Sequence, residues 1–246
     1  MDHAIYTAMG AASQTLQQQA VTANNLANAS TPGFRAQLNA LRAVPVQGES
    51  LPTRTLVTAS TPGSDMTPGA MDYTGRSLDV AVRQDGWLAV QAEDGTEAYT
   101  RNGNMELNNA GQLTIQGKVV MGDGGPIAVP QGSEITIAAD GTITALNPGD
   151  SPNATVQLGR LKLVKATGSE VTRGDDGLFR PTGNVQTLQA DPTIQVMPGV
   201  LEGSNVSSTQ TMVDMIANSR RFEMQMKVIS SVDENEQRAN QLLSMS

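Results

Sequence analysis

The first 26 residues of this 246-residue chain carry one acidic side chain, Asp2, and no basic one occurs before Arg35. Apolar positions nevertheless recur at Ile5, Met9, Ala12, Leu16, Ala23 and Leu26 in alternating four- and three-residue steps, with Gln19 filling the one polar seam position. This spacing predicts a helix with a heptad-like stripe. Ala8, Ala11, Ala20 and Ala27 widen the stripe with small side chains, which lets a neighbouring helix approach closely. Few of these groups are large, so burying them does not repay the ordering of an isolated helix; the segment needs a partner. The helix is expected to stop at Asn24-Asn25-Leu26-Ala27-Asn28-Ala29-Ser30-Thr31-Pro32-Gly33-Phe34-Arg35, an Asn cluster followed by a Pro-Gly turn.

A second stripe lies near the other end of the chain. Met212, Met215, Ile216, Phe222, Met226, Ile229, Val232 and Leu242-Leu243 draw a broad apolar face that no Pro or Gly interrupts. Ser204-Asn205 and Ser207-Ser208 offer N-cap oxygens at its start. Between the helices, residues 37–75 are rich in Pro, Gly, Ser and Thr and read as an extended connector with turns. Beyond them come short β-prone runs: Leu78–Val82, Trp87–Val90, Glu97–Thr100, Leu113–Ile115, Lys118–Met121, Glu134–Ile137, Thr142–Ala145 and Gln157–Val164. Asp94-Gly95, Asn102-Gly103, Asp140-Gly141 and Asp176-Gly177 supply turn signals among them. The expected fold class is α+β. A discontinuous, antiparallel, coiled-coil-like layer of terminal helices flanks an all-β middle domain. The expected division is 1–36 for the N-terminal helix, 37–75 for the connector, 76–203 for the β-rich domain and 204–246 for the C-terminal helix.

Charge follows the same division. All of the formal −8 falls between residues 44 and 204, where 18 acidic residues face 10 basic ones, and the ends are almost neutral. An acidic middle argues against nucleic acid or anionic membrane as a partner, while near-neutral ends pack against copies of themselves without repulsion. Aromatics are 3% of the chain, too few for a base-stacking platform. No run approaches transmembrane length, so membrane insertion is not expected. Cysteine is absent, which removes disulfides and thiolate metal sites. The N-terminus has neither a basic n-region nor an apolar h-region, so a cleaved secretory signal is not expected.

Catalytic chemistry has little to build on. His3 is the lone histidine, so neither a triad nor a histidine metal site is expected, and no cofactor is implied. Glu93-Asp94 and Asp175-Asp176 are the acidic doublets that resemble a glycosidase pair, but both precede Gly in turn contexts. Gly122-Asp123-Gly124-Gly125 and Gly174-Asp175-Asp176-Gly177 match neither a phosphate loop nor a calcium loop.

Two features carry two readings each. The Asn cluster and Pro32-Gly33 either end the helix through Asn28 and a type II turn, or place Asn24, Asn25 and Asn28 in hydrogen bonds across packed helices that select their register. Phe34 anchors the exit of the chain or caps the local core. The helical stripes fit an intramolecular hairpin or a larger assembly; assembly is favoured because a solvated outer face of the N-terminal helix would normally be charged.

The segment NNLANASTPGFRA resembles the N-terminal signature of the bacterial flagellar axial proteins, which form the rod, hook and hook junctions. Further blocks resemble that family in the same order: Thr74 to Val82, Asp85 to Val90, Tyr99 to Asn104, and Gly199 to Val206 followed by Met212 to Ile216. The similarity is greatest to proximal-rod members of the basal-body rod family. Trp87-Leu88 and Arg220-Arg221-Phe222-Glu223 stand where distal-rod and hook relatives usually carry Phe-Phe and Arg-Ala-Tyr-Glu.

The resemblance implies a structural subunit, not an enzyme, that polymerises through its terminal helices into the periplasm-spanning rod of the flagellar basal body. Its implied partners are copies of itself, neighbouring rod subunits and the flagellar type III export apparatus. Subunit contacts are expected at Ile5, Met9, Leu16, Asn24, Asn25, Leu26, Asn28, Phe34, Met212, Met215, Ile216, Phe222, Met226, Ile229 and Leu243. The alternatives are a distal-rod or hook-type subunit and a secreted glycan-binding or cell-wall-cleaving β-domain on a helical oligomerisation stalk, with Glu93 and Asp175 as its acidic groups.

Overall fold

A computed structural model of the chain describes residues 2–45, 55–151, 154–183 and 185–244. They form two compact units. One comprises residues 1–29, 37–63 and 206–246, and the other residues 30–36 and 64–205.

The first unit is built on α1 (Asp2–Ala27) and α2 (Ser208–Ser244), which pack along each other. At about 1.5 Å per residue, α2 outruns α1 by some three turns. Alpha-1 ends as its composition requires. The Asn28 N–H donates to Asn24 O and Asn25 O, both at 3.2 Å, and the Asn28 amide side chain donates to Asn24 O at 2.9 Å. Ser207 caps α2: its hydroxyl oxygen accepts from Gln210 N–H at 3.4 Å and its carbonyl from Thr211 N–H at 2.9 Å. The strands Gln37–Pro45 and Thr55–Ser64 pair into a two-stranded sheet.

These contacts divide the chain differently from the composition. Much of the segment read as a connector is paired strand, and part of it, residues 46–54, lies outside the described residues. Residues 37–63 group with the helices and residues 64–75 with the β unit. Residues 30–36, expected to end the helical segment, also group with the β unit.

The β unit centres on a five-stranded sheet with the order 163–165, 86–91, 97–100, 179–181, 171–173. Strand Gly86–Gln91 is covered on both faces. Leu88 and Val90 join a core with Val80, Met105, Leu113, Ile143, Leu161 and Ile194, while Trp87 and Ala89 join a second with Tyr99, Val164 and Phe179. The Trp87 and Phe179 rings lie 4.6 Å apart at 48°, and the indole N–H donates to Ala166 O at 3.0 Å. The run expected as one strand over 157–164 is two, Val156–Arg160 and Leu163–Lys165, in different sheets. Leu161 and Leu163 are both buried, and Lys162 between them pairs with Glu97 at 2.7 Å, so the chain turns from one sheet to the other there.

The expected turns at Asp94-Gly95 and Asp140-Gly141 close hairpins. Each aspartate carboxylate accepts from the amide and hydroxyl of the threonine two residues on, Thr96 and Thr142; Asp191 does the same with Thr193.

Candidate functional site

The inner seam of the helical unit mixes small and polar side chains with larger apolar ones. On α1 one line of less exposed positions runs Ile5, Ala8, Ala12, Thr15, Gln19, Thr22 and Leu26, with Gly10, Ala11, Gln14, Gln18, Val21 and Asn25 half-buried beside it; on α2 the line runs Thr211, Met215, Asn218, Phe222, Gln225, Ile229, Val232, Glu236 and Ala239, with Ala217 beside it. Both series keep the four-three alternation of a coiled coil. The buried threonine hydroxyls return to the helix backbone: Thr15 to Ala11 O, Thr22 to Gln18 O and Thr211 to Ser207 O, at 2.7 to 3.0 Å. Asn218 is 3% exposed and its amide donates to Thr22 Oγ1 at 3.3 Å, linking the helices. The Oε1 atoms of Gln19 and Gln225 are buried without a hydrogen-bond partner.

Other large apolar residues are on the outside. Tyr6, Met9 and Leu16 of α1 are 68%, 53% and 53% exposed, and Met212, Val213, Ile216, Met224, Met226 and Val228 of α2 are each 45–59% exposed. The apolar stripe inferred from α1 is therefore half right in phase. Ile5, Ala12, Gln19 and Leu26 lie on the seam, but Met9, Leu16 and Ala23 sit on the exposed flank, and Ala8, Thr15 and Thr22 take the inward positions. On α2, Met215, Phe222 and Ile229 lie on the seam, whereas Met212, Ile216 and Met226 are exposed. The Leu243 side chain lies outside the described residues. A heptad count that rewards large side chains cannot detect a seam made of Thr and Ala.

The asparagines divide their work. Asn25 grips the backbone of Gln37, donating its amide to Gln37 O at 3.0 Å and accepting from Gln37 N–H at 2.9 Å. Asn24 lends its carbonyl to the end of α1, and Asn28 closes it. The second reading of the cluster, amides linking packed helices, finds its counterpart between α1 and α2 at Asn218.

Within the β unit, Thr31-Pro32-Gly33-Phe34 forms a turn in which Phe34 N–H donates to Thr31 O at 3.3 Å, with Gly33 at φ 68°. Gly33 is required twice over, because a Cβ there would lie 2.3 Å from the Arg101 carbonyl carbon and the Asn102 nitrogen. Phe34 is buried, with the Arg173 guanidinium 4.4 Å from its ring centre. Arg35 then meets two residues from other blocks of the sequence. Its Nη2 is 2.6 Å from Glu202 Oε1, the Arg101 Nε is 3.5 Å from Glu202 Oε2, and Gly69 N–H donates to Glu202 Oε1 at 3.1 Å. Arg35 Nη1 donates to Thr67 O, and Arg101 donates to the carbonyls of Val82, Gly86 and Gln84. Burial holds the Arg101 guanidinium below the ordinary arginine value; Glu202 opposes that shift and Arg35 adds to it. All three residues lie within blocks that resemble the flagellar axial family, but spacing along the chain does not show that they meet. Their signal was a charged residue within each otherwise uncharged Gly- or Asn-rich turn.

The acidic doublets give no active-site arrangement. Asp94 is held by Thr96, and Asp176 accepts two bonds from the Arg180 guanidinium at 2.8 and 2.9 Å. Glu93 and Asp175 are exposed. A cleft of about 610 Å³ beside Asp94, Glu97, Met121 and Arg180 is lined by these committed side chains. Among the described residues, no group of three or more His, Cys, Asp or Glu is placed to hold a metal, and no helix is long and apolar enough to cross a membrane.

Three family models match the chain. They are described as flagella basal body rod protein over residues 5–35, flagellar hook protein FlgE/F/G D1 domain over residues 81–145, and flagellar basal body rod FlgEFG protein C-terminal over residues 197–242. The chain is 75% identical to the flagellar basal-body rod protein FlgF of Escherichia coli K12 and 75% identical to that of Salmonella typhimurium LT2, over the full length of each. It is 34% identical to FlgF of Buchnera aphidicola subsp. Schizaphis graminum, over 100% of this chain and 99% of the relative.

Proposed function

We infer the working of this chain from one premise: it belongs to the flagellar basal-body rod protein family. It is a structural subunit of the flagellar basal body. In our reading it occupies the proximal rod and polymerises there through α1 and α2, passing torque from subunit to subunit.

The observation that carries this reading is the exposed apolar surface of the helical pair: Tyr6, Met9, Leu16, Met212, Val213, Ile216, Met224, Met226 and Val228 lie outside, beyond the larger apolar residues Ile5, Leu26, Met215, Phe222, Ile229 and Val232 that the seam already takes in. Burying the exposed half of each of these side chains against a neighbouring subunit contributes roughly half of the about 1.5–3 kcal/mol of a full side chain, and helices with a net charge of −1 each add little repulsion. Head-to-tail contacts, in which one surface of a subunit meets a different, complementary surface of the next, generate a helical array when the rotation does not close. The contact set proposed here joins the exposed Met9, Leu16, Met212, Ile216 and Met226 with Tyr6, Val213, Met224 and Val228. Ile5, Leu26, Met215, Phe222 and Ile229 support that surface from the seam. Asn24, Asn25 and Asn28 shape the end of α1, and Phe34 anchors the chain in the β unit. Leu243 extends the set toward the end of α2.

Neighbouring rod subunits and the type III export apparatus are the partners this role requires, with delivery in an unfolded state, without signal cleavage, to the periplasm-spanning rod. No catalytic role is assigned. The test is complementation of a strain lacking this chain with Ile216→Glu and Met9→Glu variants. Both are expected to be made and exported at native levels, to fold with native helical content, and to give non-motile cells with incomplete rods. Native motility from both variants would overturn the reading.

A further inference from the structure

Residues 195–205 are the last part of the chain to join the β unit, and they close it at many points. Val196–Pro198 pairs with Val80–Val82, and Val200–Glu202 pairs with Met71–Tyr73. Glu202 O accepts from Gly33 N–H at 2.7 Å, and Gly199 N–H donates to Asp79 O at 2.7 Å. Asn205 N–H donates to Phe34 O, while its side chain accepts from Ala36 N–H at 2.7 Å and donates to Asp65 O and Thr67 O. The same stretch carries the Glu202 carboxylate, whose side chain is 0% exposed and which pairs with both Arg35 at 1% and Arg101 at 6%.

Before this stretch arrives, the two guanidiniums belong to a surface that would bury them as neighbouring like charges. A buried cation without its carboxylate is far more costly than an absent apolar contact. Arg35 comes early in the chain, Arg101 in the middle and Glu202 late, so the ion cluster samples the whole span of the β unit.

We propose that Arg35, Arg101 and Glu202 form a folding checkpoint, which keeps the β unit from closing until residues 199–205 deliver the carboxylate. The uncompensated cations oppose premature collapse of the partial chain, and the arrival of Glu202 converts them into the clamp that holds residues 33–36, 65–70 and 199–205 together. A chain delivered N-terminus first therefore stays open until nearly all of it has emerged. The checkpoint itself follows from the cluster and not from the rod assignment.

The test is stopped-flow refolding of the full-length chain, read by the fluorescence of Trp87, the single tryptophan, which is buried in the β unit. If the cluster gates closure, Glu202→Gln slows refolding at least about tenfold and changes unfolding less than about threefold, the signature of a contact already made in the transition state. The triple variant Arg35→Met/Arg101→Met/Glu202→Met, which removes the unpaired charges altogether, refolds at the native rate or faster. Pulsed hydrogen exchange on the native chain supplies a readout that needs no variant: the Ala89 and Val120 amides gain protection in the same phase as Gly203 and Asn205. Three results would overturn the proposal. They are protection of Ala89 and Val120 in an earlier phase, a Glu202→Gln effect confined to unfolding, and a triple variant as slow as Glu202→Gln.

Discussion

Arg35 Nη2 lies 2.6 Å from Glu202 Oε1, and both side chains are shielded from solvent almost completely. The pair ties the segment following α1 to the segment preceding α2 inside the β unit. Its partners, the backbone of Gly33, Thr67 and Gly69 and the guanidinium of Arg101, come from segments that the sequence motifs bracket. The Pro-Gly motif thus does more than end a helix. It threads backbone through a gap that admits no Cβ and presents Arg35 to its carboxylate.

Gly33→Ala is expected to destabilise the β unit by more than about 2 kcal/mol, since an L-residue at positive φ alone costs about 1–3 kcal/mol and the methyl group also meets backbone at 2.3 Å. Urea unfolding followed by Trp87 fluorescence measures the loss. An unchanged midpoint would mean that the Gly33–Arg101 approach is relaxed in solution.

The buried, unpartnered Oε1 atoms of Gln19 and Gln225 weaken the seam between α1 and α2. Replacing both with Leu should raise the stability of the helical unit by about 1 kcal/mol or more, because a buried unsatisfied polar group costs about 1–3 kcal/mol. Thermal melting followed by helical circular dichroism tests this. Lower melting of the double variant would show that the amides contribute net stability.

Asn25→Ala removes both hydrogen bonds to Gln37, each contributing about 0.5–1.5 kcal/mol. The local consequence is faster hydrogen exchange at the Gln37 amide, with little change at amides of the β unit such as Ala89. Equal acceleration at both places would contradict the local role of the clamp.

Acid should loosen the β unit through its aspartate turns. The hydroxyl and amide of Thr96 hold Asp94 below its ordinary value of 3.8; the amide and hydroxyl of Thr142 do so for Asp140, and the hydroxyl and amide of Thr193 for Asp191. Each carboxyl binds its proton less readily in the folded chain than in the unfolded one. Its contribution is therefore complete above about pH 4 and is lost as the pH falls below the ordinary value. Melting temperatures at pH 6 and pH 3 measure the loss, and the Thr96→Val/Thr142→Val/Thr193→Val variant should show a shallower acid slope. An identical slope would place the acid sensitivity elsewhere.

Much of this architecture was legible from residue order. Terminal helices follow from long runs free of Pro, with Gly10 the one glycine within them, and from recurring apolar positions; the hairpins at Asp94-Gly95 and Asp140-Gly141 follow from turn chemistry acting over a few residues. The phase of the α1 seam was less legible, because an apolar count favours Met9 and Leu16 over Thr15 and Thr22. Threonine can be buried when its hydroxyl returns to the preceding turn, and periodicity carries no record of that bond. The strands within 37–64 were also hidden, since Pro and Gly within the ribbon read as connector.

Local propensity and spacing, which act between near neighbours, are enough for residue order alone to set the helices, the turns and the β-rich middle. The Arg35–Arg101–Glu202 cluster, the Asn218–Thr22 link and the outward position of Met9, Leu16, Met212 and Ile216 were decided by the folded chain. Each depends on which distant segments share a space too small for water, and no property of a single segment specifies that.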